Sequence, residues 1–225
     1  MRRSLRMLFA LTFLTAGLAP VLIALTPGTA GATACGTAIP AGSTCTLTGT
    51  LDLTGGSLTL TTPATLSWGT SLTGLDQSVY DTVGGDEQYT VNDATGTGAG
   101  WHVTMSATTF TNGSHTLPNS GTLAAGVTSS ITATSAPTDT CVSGSTCTLP
   151  SNEVTTYPVA ITTATSSPTP SVIYGTVTSS YTGLGEILIG GSSQANPAGW
   201  WLTIPADAYS GSYTSTVTME VISGP

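Results

Sequence analysis

Residues 198–225, AGWWLTIPADAYSGSYTSTVTMEVISGP, carry the clearest strand signals in the chain. An apolar, β-prone run over residues 200–204 ends at Pro205, which has no amide hydrogen to donate to a sheet. A second run covers residues 213–222, and its alternating pattern predicts one buried face. The side chains on that face are Tyr213, Val217, Met219 and Val221. We therefore expect two strands here, the second of them inside a sheet.

Short β-prone runs recur along the rest of the chain, and no segment shows sustained helical periodicity. The pattern predicts an all-β fold, a single antiparallel β-sandwich of immunoglobulin-like or related kind. A hairpin is expected across Gly55-Gly56 and a tight turn at Asn112-Gly113. The other predicted strands are residues 46–53, 57–60, 65–72, 101–110, 131–135, 157–163, 172–179 and 187–189.

The first residues have the pattern of an export signal. Arg2, Arg3 and Arg6 precede an apolar run over residues 7–25, and residues 32–34 read Ala-Thr-Ala, a small-residue cleavage site. We predict a signal peptide over residues 1–34 and one mature domain over residues 35–225. A retained membrane anchor and lipidation of Cys35 are the alternatives. The mature form is expected to be secreted, to stay at the cell wall or cell surface, and to have no membrane span.

Cleavage would change the charge sharply, because all three Lys and Arg residues lie in the predicted signal. The mature chain would keep 11 acidic residues and no Lys or Arg, which is a formal charge of −11. Cationic clamps for phosphate are then absent, so nucleic acid is excluded as a partner.

Four cysteines in an exported chain predict disulfides. Three pairings are open, and the local one, Cys35–Cys45 with Cys141–Cys147, places each bond across a turn that contains glycine. Two sequence echoes accompany these cysteines. GSTCTL recurs at residues 42–47 and 144–149, and AGW recurs at 99–101 and 198–200. The offsets of 102 and 99 suggest an internal duplication, with chance matching in a Thr/Gly-rich chain as the alternative.

The chain resembles the WxL domain of Gram-positive surface proteins at two places. Residues 91–93, VND, followed by residues 98–106, GAGWHVTMS, are similar to its first signature. Residues 211–221, GSYTSTVTMEV, with the closing Gly224-Pro225, are similar to its second. The sequence diverges at the tryptophan of the second signature, where Met219 stands, and the literal W-x-L lies at residues 200–202.

The resemblance implies a β-rich, exported and non-catalytic module. Such a module attaches non-covalently to peptidoglycan or associates with other surface proteins. A structural or self-assembling β-rich subunit is the alternative, and a calcium-dependent adhesion module is a second one. The sequence does not separate direct wall binding from binding through a partner.

Tryptophans are the candidate binding residues, because an indole face stacks on sugar rings. We single out Trp101, Trp200 and Trp201. Adjacent residues of a strand point to opposite faces, so either Trp200 or Trp201 should lie outside the core or under a loop. The competing interpretation is that these side chains only fill the sandwich core.

An acidic region over residues 76–93 suggests calcium as the one candidate cofactor. Its carboxylates are the oxygen ligands that Ca²⁺ prefers, although the spacing is not that of an EF-hand. The candidate ligands are Asp81, Asp86, Glu87 and Asp93. Catalysis is not expected, because neither G-x-S-x-G nor HExxH occurs. His102 and His115 are the two histidines, and His102 lies in a predicted strand beside Trp101, where a structural histidine is more common than a catalytic base.

Overall fold

The computed structural model describes residues 33–36, 38–176 and 182–224. The chain forms two compact units, Met1–Asp52 and Leu53–Pro225. Nearly all of the predicted signal peptide lies outside the described residues, so the signal peptide and the single domain over residues 35–225 stay predictions. In the first unit, β1 (Thr33–Ala34) pairs in parallel with β2 (Cys45–Thr46).

The second unit is all-β, as predicted, and its strand pairs are antiparallel. Its three sheets have the orders β10-β6-β13, β3-β5-β11-β8 and β4-β12-β7-β9. The strands are β3 (Leu58–Thr61), β4 (Gln77–Tyr80), β5 (Gln88–Asp93), β6 (Trp101–Ala107), β7 (Leu123–Val127), β8 (Asp139–Cys141), β9 (Val159–Ile161), β10 (Ser171–Gly175), β11 (Gly185–Gly190), β12 (Ala198–Ile204) and β13 (Val217–Ser223). No described helix is long and apolar enough to cross a bilayer.

Within these sheets, no two strands that follow each other in the chain are neighbours. The order therefore differs from that of an immunoglobulin domain, in which several consecutive strands pair. The predicted hairpin across Gly55-Gly56 is wrong. β3 pairs instead with β5, and residues 47–57 form no strand. Gly56 does donate its amide hydrogen to Ala94 O at 2.8 Å, so this segment lies beside the end of β5.

The strand order has an internal two-fold pseudo-symmetry. β6 lies between β10 and β13, while β12 lies between β4 and β7, and β5 pairs with β11. If β4, β5, β6 and β7 exchange places with β10, β11, β12 and β13, respectively, the order β10-β6-β13 becomes β4-β12-β7. The same exchange leaves the β5–β11 pair unchanged. Matched strands begin at residues 77 and 171, 88 and 185, 101 and 198, and 123 and 217. This topology supports the duplication that the sequence echoes suggest, with each half supplying the neighbours of the other half's central strand.

All three sheets contribute to one core. Trp101 and Met105 come from β6, Trp200 from β12, and Ile187 and Ile189 from β11, and each side chain is at most 1% exposed. Full burial of one large apolar side chain contributes about 1.5–3 kcal/mol. The alternating strands of the sequence thus converge on a shared apolar interior.

β13 departs from the expectation that it lies inside a sheet. It is an edge strand and pairs only with β6, from Val217↔Ala107 to Ser223↔Trp101. Its alternation is as predicted, since Val217, Met219 and Val221 face the core, but these side chains are half-buried.

Other strand predictions had mixed outcomes. The runs at residues 101–110, 157–163, 172–179 and 187–189 all contain strands, although residues 177–179 lie outside the described residues. Residues 65–72 and 131–135 are irregular, because they lie in long connections instead of ladders. β4, β5, β7 and β8 were not predicted.

Both disulfides are confirmed. Cys35 bonds to Cys45 and Cys141 bonds to Cys147, with Cα atoms 5.3 Å and 5.5 Å apart. The second bond fixes the end of β8, which pairs with β11 through Ile187↔Cys141.

Candidate functional site

The second unit contains a groove of about 690 Å³. Its floor consists of apolar side chains from β12 and from the segment that follows β6. Two further segments, residues 67–72 and residues 208–213 with Ser215, line the rest of it, and we call them its two walls. The floor residues are Phe110, Leu117, Leu202 and Ile204. We call this feature the aromatic groove.

Trp68 forms one wall of the aromatic groove. Its Nε1 donates to Trp200 O at 2.9 Å, and its ring meets Phe110 edge-on with ring centroids 5.8 Å apart. The side chain is half-buried, so part of the indole is open to solvent. An indole fixed by such contacts and partly exposed can stack on a ligand ring through whatever part of its face is open.

The β12–β13 loop, residues 205–216, supplies the second wall. Tyr209 is 62% exposed, and one face of its ring stacks on His115 at a centroid distance of 3.7 Å. Tyr213 donates its hydroxyl hydrogen to Tyr209 O at 3.1 Å. The loop is attached to the body by paired backbone bonds between Thr111 and Thr214, of 3.0 and 2.9 Å.

The predicted turn at Asn112-Gly113 is confirmed, and it positions this wall. Asn112 Oδ1 accepts the amide hydrogens of Ser114 and His115 at 3.0 and 2.7 Å, while Gly113 takes φ 88°. A left-handed φ favours glycine because it has no Cβ. The turn therefore holds the His115 ring against which Tyr209 stacks.

No residue that lines the aromatic groove carries a charge. Its polar groups are hydroxyls and backbone amides, and Ser67, Thr70, Ser71, Ser210, Ser212 and Ser215 supply the aliphatic hydroxyls. Such a lining suits an uncharged ligand that has both apolar faces and hydroxyl groups. It offers no compensation for a charged one.

The three tryptophans proposed from the sequence lie elsewhere. Trp101 and Trp200 are 0% and 1% exposed, so they fill the core and present no ring face to a ligand. Trp201 lies outside the core cluster that contains Trp200, as the alternation predicted, but it is only 8% exposed. Its ring packs against Tyr80, and its Nε1 donates to Val127 O at 2.8 Å. The prediction that one of these three tryptophans stacks on a ligand at the surface is therefore wrong for the folded chain.

The acidic candidates also have local roles. Asp81 is buried and accepts amide hydrogens from Ser67 and Val83 at 2.6 and 2.9 Å. Asp93 accepts the amide and hydroxyl hydrogens of Thr95 at 3.0 and 2.6 Å. Among the described residues, no three His, Cys, Asp or Glu side chains converge on a metal-sized space. The calcium set of Asp81, Asp86, Glu87 and Asp93 is therefore not assembled.

Two of these carboxyls are nevertheless perturbed. Burial raises the pKa of Asp86, and the Asp81 carboxyl, with its charge and a shared hydrogen bond, raises it further. Burial and the Asp81 charge likewise raise the pKa of Glu87. Desolvation and like charge both disfavour ionisation.

The two histidines are engaged in structural contacts. His102 Nδ1 lies 2.9 Å from Gly224 O, next to the end of β13, and His115 is stacked on Tyr209. Trp68 and Tyr209 were missed as candidates because their importance comes from the loops around them. Trp68 was assigned to a strand, and Tyr209 lies between two strands in a stretch that the sequence analysis treated as a connection.

Comparison of the chain with protein-family models, with curated proteins and with solved structures finds no match. The resemblance to the WxL domain therefore stays a prediction.

Proposed function

We propose that this protein is an exported, non-catalytic surface module that attaches non-covalently to the peptidoglycan of a cell wall. In this proposal the aromatic groove takes the glycan strand. The observation that carries it is that a half-buried Trp68 and an exposed Tyr209 both line a cleft whose lining residues carry no charge.

Sugar chemistry matches this lining. The axial C–H face of a pyranose stacks on an aromatic ring, while its hydroxyl and N-acetyl groups exchange hydrogen bonds with serine, threonine and backbone groups. Stacking on an aromatic ring contributes about 1–3 kcal/mol per base in nucleic-acid complexes, and we expect a sugar to gain no more. One groove then gives weak binding, so retention on a wall needs several contacts along a polymer.

The two disulfides support the proposed location. Such bonds persist in oxidising compartments outside the cytoplasm. The predicted signal peptide and the resemblance to the WxL domain are consistent with that destination. The absence of Lys and Arg after residue 6 disfavours anionic wall polymers as direct ligands and favours the uncharged glycan.

The test is co-sedimentation of the mature protein, residues 35–225, with purified peptidoglycan. Tyr209→Ala removes one wall of the groove at an exposed position, and Leu75→Ala, at a position that is 71% exposed, is the matched control outside it. We expect the Tyr209 variant to bind at least fivefold more weakly than wild type and the Leu75 variant to bind normally. Equal binding of both variants would exclude the groove, and no binding by wild type would refute the wall-attachment proposal itself.

A structural or self-assembling role is the second candidate. One specific observation favours it, a run of exposed leucines that precedes β3.

A further inference from the structure

The turn at Asn112-Gly113 places a carboxamide beside a backbone nitrogen that can attack it. The Asn112 side chain and the Gly113 nitrogen are joined through the Asn112 main chain, so a bond between Cγ and that nitrogen closes a five-membered succinimide ring. Gly113 has no Cβ to hinder this approach. Among the five asparagines of the chain, only Asn112 precedes a glycine. Asn112 is half-buried and Gly113 is exposed, so water reaches the turn.

Two backbone donors polarise the carbonyl that would be attacked. Asn112 Oδ1 accepts the amide hydrogens of Ser114 and His115 at 3.0 and 2.7 Å. When a nitrogen bonds to Cγ, Oδ1 gains negative charge, and N–H donors already aimed at that oxygen stabilise the charge. The turn thus provides at Asn112 the donor arrangement of an oxyanion hole.

The attacking nitrogen has an acceptor for its hydrogen. Gly113 N–H donates to Thr111 Oγ1 at 3.0 Å, and a hydrogen bond in this direction increases the electron density on the nitrogen. Thr111 is half-buried, so its hydroxyl group can pass the proton to water. Thr111 itself is fixed by the paired backbone bonds to Thr214, of 3.0 and 2.9 Å. The nucleophile, the carbonyl and the proton acceptor therefore lie within three consecutive residues of a fixed turn.

We propose that Asn112 is a modification site at which the chain reacts with itself and with water, without an enzyme or a cofactor. The Gly113 nitrogen forms a bond to Asn112 Cγ and gives up its proton to water. The Cγ–Nδ2 bond then breaks, and Nδ2 leaves as ammonia after taking up a proton. Water next adds to one of the two carbonyls of the succinimide, and the C–N bond of that carbonyl breaks. The product has aspartate or isoaspartate at position 112, so one water is consumed and one ammonia is released.

The product alters the second wall of the aromatic groove. The Asn112 carboxamide lies against that wall, because a Cβ added at Gly211 would be only 2.8 Å from Nδ2. A carboxylate there puts a negative charge beside a cleft whose lining carries none. Isoaspartate also lengthens the main chain by one carbon between Thr111 and His115, the ring on which Tyr209 stacks. We therefore expect modified chains to lose affinity for the ligand of the groove, a consequence that rests on the proposed function.

The first test follows the reaction itself in mature protein, residues 35–225, kept folded in mildly alkaline buffer. Chymotryptic peptide mapping and ammonia release measure conversion at Asn112. We expect the folded chain to convert about tenfold faster than the same chain unfolded in guanidinium chloride, because only the folded turn aims two donors at Oδ1. Conversion that is no faster in the folded state would overturn the proposal.

Two variants test the proton acceptor. Thr111→Val keeps the Asn-Gly sequence but removes the hydroxyl that accepts the Gly113 N–H hydrogen, so it should convert more slowly than wild type. Thr111→Ser restores the hydroxyl and should convert at the rate of wild type. Circular dichroism checks that both variants fold. A folded Thr111→Val protein that matches wild type, or a folded Thr111→Ser protein as slow as Thr111→Val, would refute the role of the hydroxyl.

The last test asks whether conversion affects ligand binding. Partly converted protein is co-sedimented with purified peptidoglycan, and peptide mapping compares Asn112 in the pellet with Asn112 in the supernatant. We expect modified chains to be enriched at least fivefold in the supernatant. Equal fractions in pellet and supernatant would refute the effect on the groove. If no chain sediments, the wall-attachment proposal fails, whereas the first test still decides whether Asn112 reacts.

Discussion

Replacing Trp101 by phenylalanine tests how the core depends on one buried hydrogen bond. Trp101 is fully buried, and its Nε1 donates to Gly183 O at 2.9 Å. Among the described residues, Gly183 O has no other donor. Phenylalanine removes the N–H and part of the ring, so a buried carbonyl loses its partner at a cost of about 1–3 kcal/mol. With the lost packing against Tyr174, whose ring centroid is 6.2 Å away, we expect a total loss of about 2–4 kcal/mol.

Trp68→Phe is the matched control, because it makes the same chemical change at a half-buried position. Trp68 Nε1 donates to Trp200 O, and that carbonyl also accepts the Asp81 amide hydrogen at 3.0 Å. The carbonyl therefore keeps a partner, and we expect a loss below about 1.5 kcal/mol.

The assay is urea unfolding followed by far-UV circular dichroism, with the free energy of unfolding extrapolated to water. Circular dichroism is preferred to fluorescence because both variants remove a tryptophan. If the two variants lose free energies of unfolding that agree within about 0.5 kcal/mol, the reasoning is refuted. Neither the burial of Trp101 nor the Asp81 amide hydrogen bond to Trp200 O would then affect the cost of the substitution.

Two further predictions concern stability. Burial raises the pKa of Tyr157 to about 12 and also raises the pKa values of Tyr89 and Tyr174. The contribution of these tyrosines to the free energy of unfolding should therefore be fully present below pH 10 and should be lost as the pH rises from about 10 to 12. Thermal melts between pH 9 and 11.5 measure this fall, which Tyr157→Phe should make shallower. A fall that is equally steep in the variant would contradict the assignment to Tyr157. Replacing Cys141 and Cys147 together by serine should cost about 2 kcal/mol on the entropic model for a short loop, and an unchanged urea midpoint would show that this bond does not stabilise the sandwich.

The sequence predicted the strands that bury a continuous apolar face, because alternation and burial are local properties. The β6 and β12 strands and the turn at Asn112-Gly113 were found in this way. The hairpin before β3 was predicted wrongly because Gly55-Gly56 fits a turn, whereas the pairing of β3 with β5 depends on residues about 30 positions later. Pairing partners at that separation leave no local signal.

The aromatic groove could not be predicted from the sequence, because its residues, like the paired strands, are far apart in the chain. Trp68 and Tyr209 are 141 residues apart, and only the tertiary fold brings their segments to the same cleft. The choice of Trp101, Trp200 and Trp201 followed residue type alone, and burial shows the limit of that criterion.

In the sheets of the second unit, strands that are consecutive in the chain do not pair, and this affects how the chain can fold. Val217 pairs with Ala107 and Trp201 pairs with Tyr80, so ladders of the sandwich join residues more than 100 positions apart. Closing such long loops costs entropy before any contact compensates for it, and chains of this kind fold in milliseconds to seconds. Of the early strands, β3 finds its partner β5 about 30 residues later, whereas β4 and β6 pair only with strands of the second half. The sheets that contain β4 and β6 can therefore be completed only once the second half of the chain is available, so their assembly is a late event in folding.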